Sequence, residues 1–86
     1  MEIVKSVSAG TMESSDVYVE IEPGSGITVE LQSVVAQQFG DSIRSVVREV
    51  LAEQGVQNAR VRLVDRGALE CVIRARMEAA ILRGKG

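Results

Sequence analysis

Apolar residues recur along this chain with two different periods, and the change of period limits the fold to a mixture of strands and helices. Residues 17–22 and 27–32 alternate apolar with polar side chains, which is the two-residue period of a strand with one buried face. Residues 35–51 place apolar side chains three or four positions apart, as on one face of a helix. The first half of the chain therefore predicts two strands followed by a long helix.

The second half of the chain repeats this order. Residues 59–63 and 69–75 alternate like strands, and residues 74–81 return to helical spacing. The economical packing is an α+β fold, in which a four-stranded, mainly antiparallel sheet made of two hairpins packs against one long helix over 34–54. A short C-terminal helix completes the prediction.

Glycine and proline mark the predicted turns and helix ends. Residues 23–26 read Pro-Gly-Ser-Gly, a dense turn signal between the first two strands. Gly40 interrupts the helical pattern, and Asp41 after it is a candidate helix cap, so the helix is predicted most firmly over 42–54. Gly55 is placed to end the helix in a left-handed conformation.

Composition argues against independent catalysis. The 86 residues form one domain, 1–86, with an N-terminal segment at 1–16 and a polar end at 84–86. Histidine is absent, so the usual proton shuttle at neutral pH is missing. The single cysteine, Cys71, lies on the apolar side of a predicted strand and is interpreted as a small buried hydrophobe. A lone cysteine and the lack of a signal peptide or long apolar run predict a cytoplasmic protein without a membrane partner.

Charge is unevenly distributed although the net charge is only −2. Residues 1–31 hold six acids and one base, whereas residues 59–86 hold seven bases and three acids. This asymmetry predicts either a surface that orients the domain on a partner or two solvated faces. The arginines of the predicted strands at 59–63 and 69–75 alternate with apolar residues and would line one face of the sheet, but they lack interleaved aromatics, so no nucleic-acid partner is expected.

The segment 9–16, Ala-Gly-Thr-Met-Glu-Ser-Ser-Asp, offers the best candidate for chemistry. Its small and polar residues predict an exposed loop in which Gly10 gives freedom of movement and Ser14 presents its hydroxyl. Glu13 and Asp16 flank the serine without a pocket-forming apolar surround, so they are interpreted as loop acids, or as charges that a modifying enzyme recognises. We therefore expect Ser14 to be modified by another enzyme.

A second serine has a rival claim. Residues 40–43, Gly-Asp-Ser-Ile, are similar to the short signature at which ordinary acyl carrier proteins receive phosphopantetheine on a serine that begins a helix. Arg44 and Arg48 stand where such carriers usually have acids. A phosphopantetheine carrier using Ser42 is therefore an alternative interpretation, and a non-carrier protein interaction module is another.

Residues 9–17 resemble the N-terminal motif of the citrate lyase acyl carrier proteins, the gamma subunits of that complex. The resemblance continues through residues 37–40, 46–51 and 65–76, the last reading Asp-Arg-Gly-Ala-Leu-Glu-Cys-Val-Ile-Arg-Ala-Arg, and it spans nearly the whole chain. A carrier of the closely similar citramalate lyase is also compatible.

The resemblance implies a site, a cofactor and partners. Ser14 would carry 2'-(5''-phosphoribosyl)-3'-dephospho-CoA through a phosphodiester bond, and the thiol of that group would hold acetyl and citryl groups. The implied partners are the citrate lyase alpha (transferase) subunit, the beta (lyase) subunit and the transferase that attaches the prosthetic group. The chain itself would be a non-catalytic subunit that supplies no acid, base or metal ligand to the cleavage of citrate into oxaloacetate and acetate.

Overall fold

A computed structural model describes all residues from Met1 to Gly86 and contains four strands and two helices. In chain order these are β1 (Val7–Gly10), β2 (Val17–Glu22), β3 (Ile27–Ser33), α1 (Ala36–Glu53), β4 (Ala59–Asp65) and α2 (Glu70–Gly84). The strands form one sheet in the order β1-β2-β4-β3. Strands β1 and β4 each pair antiparallel with β2, whereas β3 pairs parallel with β4. The predicted four-stranded, mainly antiparallel α+β fold is confirmed, and one parallel pair makes the sheet mixed.

The two predicted hairpins are wrong. In the first, β4 lies between β2 and β3, and in the second, the residues of the last predicted strand form part of α2. Alternation identifies the side chains that face the core, but it does not identify the neighbouring strand. The turn at 23–26 instead crosses the beginning of β4. A Cβ atom on Gly24 would lie 3.0 Å from the backbone of Ala59, and the Ala59 N–H donates to the Gly26 carbonyl at 2.9 Å. Gly24 therefore allows this loop to pass close to the neighbouring backbone.

The predicted strand at 69–75 is also wrong, because these residues begin α2. Of its four alternating apolar residues only Ile73 is buried, and Leu69 is 71% exposed. The buried face of the helix runs from Ile73 through Met77 to Ile81, at spacings of four residues. Ile73 fits both periods, so the choice between them depends on the residues that follow it.

Strand β1 was not predicted from the sequence. It has four residues, of which only Ala9 is buried, so it is too short to display a period. It forms the one hairpin of the sheet, with β2 as its partner and residues 11–16 as the connecting loop. This loop contains Ser14.

Helix α1 is continuous from Ala36 to Glu53, so the predicted restart at Asp41 is wrong. The Asp41 side chain is exposed and faces Arg44 at 3.6 Å. Gly40 is buried inside the helix, and a Cβ atom at this position would lie 4.0 Å from the Leu31 side chain of β3. Glycine is tolerated here because packing against the sheet offsets its low helix propensity.

The predicted end of α1 is confirmed. Gly55 has a φ angle of +71°, the left-handed conformation that glycine adopts without strain. The Val56 N–H donates to the Leu51 carbonyl at 2.9 Å, and both side chains are buried. This is the Schellman arrangement, which satisfies carbonyls that the helix leaves unpaired.

Both helices cover the same face of the sheet and contact each other. Together they enclose a core of 18 buried aliphatic and methionine side chains from the strands, the helices and two flanking segments. Arg74 of α2 joins the helices, because its guanidinium contacts Glu49 at 3.0 Å, Glu70 at 3.1 Å and Glu53 at 3.5 Å. The hydrogen bonds to Glu49 and Glu70 raise the pKa of Arg74. No helix of the structure has the length and apolar character needed to span a lipid bilayer.

The acidic and basic parts of the sequence pair with each other inside the molecule. The register of β2 and β4 places Glu20 opposite Arg62 and Glu22 opposite Arg60, and each pair forms a salt bridge on the open face of the sheet. The remaining arginine of the predicted strands, Arg74, lies on α2 instead. Much of the charge asymmetry is therefore neutralised within the domain.

The two ends of the chain lie side by side. The Val4 N–H donates to the Gly84 carbonyl at 2.8 Å, and the Gly86 N–H donates to the Glu2 carbonyl at 3.1 Å. Ile3 beneath this pairing is 4% exposed. The polar residues at 84–86 are therefore hydrogen-bonded to the N-terminal segment.

Candidate functional site

The loop at residues 11–16 is exposed at its tip and fixed at its base. The Ser15 N–H donates to the Arg66 carbonyl at 2.8 Å, and the Arg66 N–H donates to the Asp16 carbonyl at 2.9 Å. Within the loop the Asp16 N–H donates to the Glu13 carbonyl at 3.2 Å. These bonds attach the loop to the connection between β4 and α2, so Ser14 is presented from a defined backbone.

Asp16 holds the loop through its side chain. Its carboxylate accepts hydrogen bonds from Arg76 Nε at 3.1 Å and Nη2 at 2.9 Å, from the Thr11 hydroxyl at 2.6 Å and from the Val17 N–H at 2.7 Å. The bond from Arg76, followed by the bond from Thr11, lowers the pKa of Asp16 from 3.8 to about 2. Asp16 is therefore ionised and fully engaged at neutral pH, and it is unsuited to act as a general base.

Asp16→Asn is expected to destabilise the fold by about 1–2 kcal/mol at neutral pH, because Arg76 loses a two-point ionic partner but is itself 40% exposed. A folded-state pKa below the unfolded value means that the ionised carboxylate stabilises the fold above pH 3.8, and that this contribution is lost as the pH falls toward about 2. The difference in the free energy of unfolding between wild type and variant, measured by urea unfolding, should therefore shrink as the pH falls from 3.8 toward about 2. Glu13→Gln is the control in the same loop, and a pH-independent difference for Asp16→Asn would contradict the assignment.

Gly10 does not act as the hinge that the sequence predicted. Its φ angle is +89°, and a Cβ atom there would lie 1.9 Å from the Val17 carbonyl oxygen and 3.3 Å from Arg76 Cδ. A glycine is needed because the backbone and the Arg76 side chain pass too close for any other residue. The loop begins at a constrained position.

Ser14 is exposed, as predicted. None of the side-chain hydrogen bonds of the loop involves its hydroxyl, since these bonds join Thr11, Asp16 and Arg76 and the backbone of Glu13 and Val17. Without an adjacent base the hydroxyl is not activated as a nucleophile. The hydroxyl is accessible from solvent.

The neighbouring Ser15 is also exposed but has a different backbone conformation. Its φ angle of +65° makes it the one non-glycine residue of the chain with a left-handed conformation. Its N–H is bound to Arg66, whereas its hydroxyl takes no part in the side-chain hydrogen bonds of the loop. Exposure alone does not separate the two serines, so Ser15 is the natural control for any test of Ser14.

Ser42 lies in the second turn of α1, in an uninterrupted helix. The phosphopantetheine signature that residues 40–43 are similar to requires its serine at the beginning of a helix, and α1 begins at Ala36. The surrounding sheet also differs from a four-helix bundle. Ser42 is nevertheless exposed and lines a groove on this side of the molecule.

This groove, called the α1–α2 groove below, lies between the two helices at the end of β4 and has a volume of about 340 Å³. Its apolar lining consists of Val35, Phe39, Ile43, Val46, Ala68 and Ile73. Sequence reasoning missed it, because residues 69–75 were assigned to a strand and the groove requires them in a helix.

Asp65 lies at the base of the groove and is 1% exposed. Its carboxylate accepts hydrogen bonds from the Ser33 hydroxyl at 2.8 Å and from the Ala68 N–H at 3.0 Å. These bonds fix the end of β3 and the start of the β4–α2 connection. Asp65 is therefore a structural residue that holds the groove wall next to the Ser14 loop.

Cys71 is exposed on α2, so the prediction of a buried strand cysteine is wrong. The cause is the same change from strand to helix, which turns alternate residues away from the sheet. No group of three or more histidine, cysteine or carboxylate side chains lies close enough together to hold a metal ion.

Comparison with known proteins covers almost all of these residues. A family model described as the malonate decarboxylase delta subunit, an acyl carrier protein, matches residues 4–84. Citrate lyase acyl carrier protein 2 of Salmonella paratyphi A is 56% identical over 85 residues, covering 96% of this chain and 88% of the relative. The citrate lyase acyl carrier proteins of Klebsiella pneumoniae and Haemophilus influenzae are 55% and 49% identical, each over 96% of this chain and over 88% and 87% of their own lengths.

The chain belongs to the citrate lyase acyl carrier protein family. The family resemblance predicted from the sequence is thereby confirmed. The matched region includes the loop at 11–16 as well as the α1–α2 groove.

The fold of this family member also occurs in a solved structure. A chain in the crystal structure of a Pseudomonas malonate decarboxylase hetero-tetramer in complex with malonate superposes with a TM-score of 0.81. The match covers 93% of this chain and 84% of that chain, at 21% sequence identity. At this identity the comparison supports the fold.

Proposed function

We propose that the protein is the acyl carrier subunit of citrate lyase and that 2'-(5''-phosphoribosyl)-3'-dephospho-CoA is attached to Ser14 Oγ through a phosphodiester bond. The observation that carries the proposal is the 49–56% identity, over 96% of the chain, to relatives named citrate lyase acyl carrier proteins. The exposed, unbonded hydroxyl of Ser14 supports the choice of residue.

The exposure of Ser14 and the charges of the loop are both compatible with the proposed group. Ser14 projects from a loop whose base is hydrogen-bonded, so attachment does not require the core to open. Arg76 pairs with Asp16, which reduces the negative charge that a phosphodiester would meet. When bound, the group supplies a terminal thiol that holds acetyl and citryl groups as thioesters.

The chain's own residues present this group and do not catalyse. The alpha subunit would exchange the acyl group and the beta subunit would cleave citrate to oxaloacetate and acetate, in the cytoplasm. A covalent tether makes each delivery intramolecular, with an effective concentration of order mM for a flexible linker. The domain therefore needs a stable loop and a surface that its partners recognise.

The function is tested by expressing the chain together with the transferase that attaches the prosthetic group and measuring its intact mass. We expect an adduct with the mass of the nucleotide-containing group. A smaller adduct with the mass of phosphopantetheine would support the rival carrier, and an unmodified chain would support an interaction module. The expression strain without the transferase is the control.

Glu13 is expected to contribute to recognition by the attaching transferase. It is exposed, it precedes Ser14, and none of the ion pairs of the structure uses its carboxylate. Glu13→Lys should slow attachment about three- to tenfold, because a charge at the rim of an interface chiefly affects association. Attachment kinetics measure this, with Glu2→Lys as the control outside the loop. Equal rates for both variants and wild type would contradict recognition through Glu13.

A further inference from the structure

We propose that the α1–α2 groove is a resting site for the thiol-bearing arm of the prosthetic group on Ser14. This inference depends on the proposed function and adds a second site on the same domain. The arm is a chain of methylenes and amides that ends in a thiol, and it would lie along the apolar wall between deliveries. No side chain of the protein occupies this space.

The attachment loop and the groove share one segment of backbone. Arg66 exchanges two backbone hydrogen bonds with the loop, at 2.8 Å to Ser15 and at 2.9 Å to Asp16. The next two residues, Gly67 and Ala68, form part of the groove wall. The group on Ser14 is therefore anchored in a loop that is hydrogen-bonded to the residue preceding the groove wall, and its phosphoribosyl and nucleotide part would lie between this anchor and the arm in the groove.

The groove has the chemistry that such an arm requires. Six of its ten lining residues are apolar, and its volume of about 340 Å³ lies within the range of small-molecule sites. Ser42 places a hydroxyl among these residues, where it can bond an amide of the arm. Phe39 in the lining is 52% exposed, and Leu69, which precedes Glu70 of the lining, is 71% exposed.

The charges around the groove also suit the arm and its nucleotide. Arg66 is exposed, and none of the seven ion pairs of the structure involves it. Its guanidinium is therefore free to face the phosphodiester at the attached end of the group. Of the two acids that line the groove, Glu70 is paired with Arg74, and the carboxylate of Asp65 is 1% exposed and accepts hydrogen bonds from Ser33 and Ala68.

A weak site is sufficient because the arm is tethered. With an effective concentration of order mM, a groove with a dissociation constant of the same order is occupied about half of the time. This occupancy shields the acyl thioester from water and still allows rapid release to a partner subunit. The groove thus lowers the exposure of the thioester without locking the arm in place.

The test measures where the arm lies in the attached protein. In a Cys71→Ser background the terminal thiol is the only thiol, so it can be labelled with a nitroxide and followed by NMR relaxation. We expect loss of the backbone amide signals of Phe39, Ile43 and Ala68, and retention of those of Glu20 and Arg62 on the open face of the sheet. The reduced, diamagnetic label gives the reference spectrum.

Two matched variants on α1 sharpen the result. Ser42→Gln places a longer side chain in the groove, whereas Ser45→Gln makes the same change at an exposed position outside its lining. We expect Ser42→Gln to restore the groove signals and Ser45→Gln to leave the wild-type pattern. Alkylation of the unlabelled thiol should also be faster in Ser42→Gln than in Ser45→Gln.

The outcomes separate this inference from the proposed function. Attachment at Ser14 with unaffected groove signals overturns the resting site and leaves the carrier function standing. Groove signals that change only when a partner subunit is added identify a protein docking surface instead and also overturn it. Failure of any adduct to form on Ser14 removes the proposed function and the resting site with it.

Discussion

Replacing Ser14 by alanine should abolish attachment of the prosthetic group completely. The substitution removes the oxygen to which the proposed function assigns the phosphodiester, and the hydroxyl has no side-chain hydrogen bond in the loop to lose. Because the side chain is exposed, the free energy of unfolding should change by no more than about 0.5 kcal/mol. Intact mass after expression with the attaching transferase measures the adduct, and urea unfolding confirms that the fold is retained.

The controls for this prediction are Ser15→Ala and Ser42→Ala. Ser15 is the adjacent exposed hydroxyl and Ser42 is the rival carrier position on α1. Both variants should carry the adduct in full. An adduct that persists in Ser14→Ala, or that disappears in Ser42→Ala alone, would rule out Ser14 as the attachment residue.

Gly10→Ala should produce the largest loss of stability, about 2–5 kcal/mol in the free energy of unfolding. The new Cβ would lie 1.9 Å from the Val17 carbonyl oxygen, a backbone atom of the paired strand that has little freedom to move. The φ angle of +89° adds the cost of a left-handed alanine, about 1–2 kcal/mol, to that of the overlap, about 1–3 kcal/mol. Urea unfolding gives the difference.

Gly67→Ala separates the cost of the left-handed conformation from the cost of the overlap with Val17. Gly67 has a φ angle of +92°, close to that of Gly10, but nothing lies within 4 Å of its Cβ position. Gly67→Ala should therefore lower the free energy of unfolding only by the cost of a left-handed alanine, about 1–2 kcal/mol. If the two variants were equally stable, the close approach of Gly10 to Val17 would have no energetic importance.

The sequence indicated the elements that have one clear period. Strands β2 and β3 and the helix α1 appear within two residues of their predicted limits, because several consecutive side chains agree on one buried face. The cap at Gly55 was predictable because a left-handed turn has a specific residue preference. The start of α2 was not predictable, since Ile73 satisfies both a strand and a helix pattern. Leu69 and Cys71 are exposed in the structure, but their spacing in the sequence supported a strand.

Local sequence patterns did not predict which distant segments of the chain lie next to each other. The position of β4 between β2 and β3 depends on pairing that no single segment encodes. The same limit applies to the site. Exposure of Ser14 followed from its loop composition, but the bond between Asp16 and Arg76 joins residues 60 positions apart. The α1–α2 groove likewise requires α1, β4 and α2 to be assembled.

The most direct test of the account is to locate the prosthetic group within the wild-type chain. A glutamate-specific protease cuts after Glu13 and Glu20, so one peptide, residues 14–20, contains only Ser14 and Ser15 as serines. Cuts after Glu30 and Glu49 place Ser42 in a separate peptide, residues 31–49. Tandem mass spectrometry should find the whole added mass on the first residue of peptide 14–20. Added mass on Ser15 or on peptide 31–49, with Ser14 unmodified, would contradict the account.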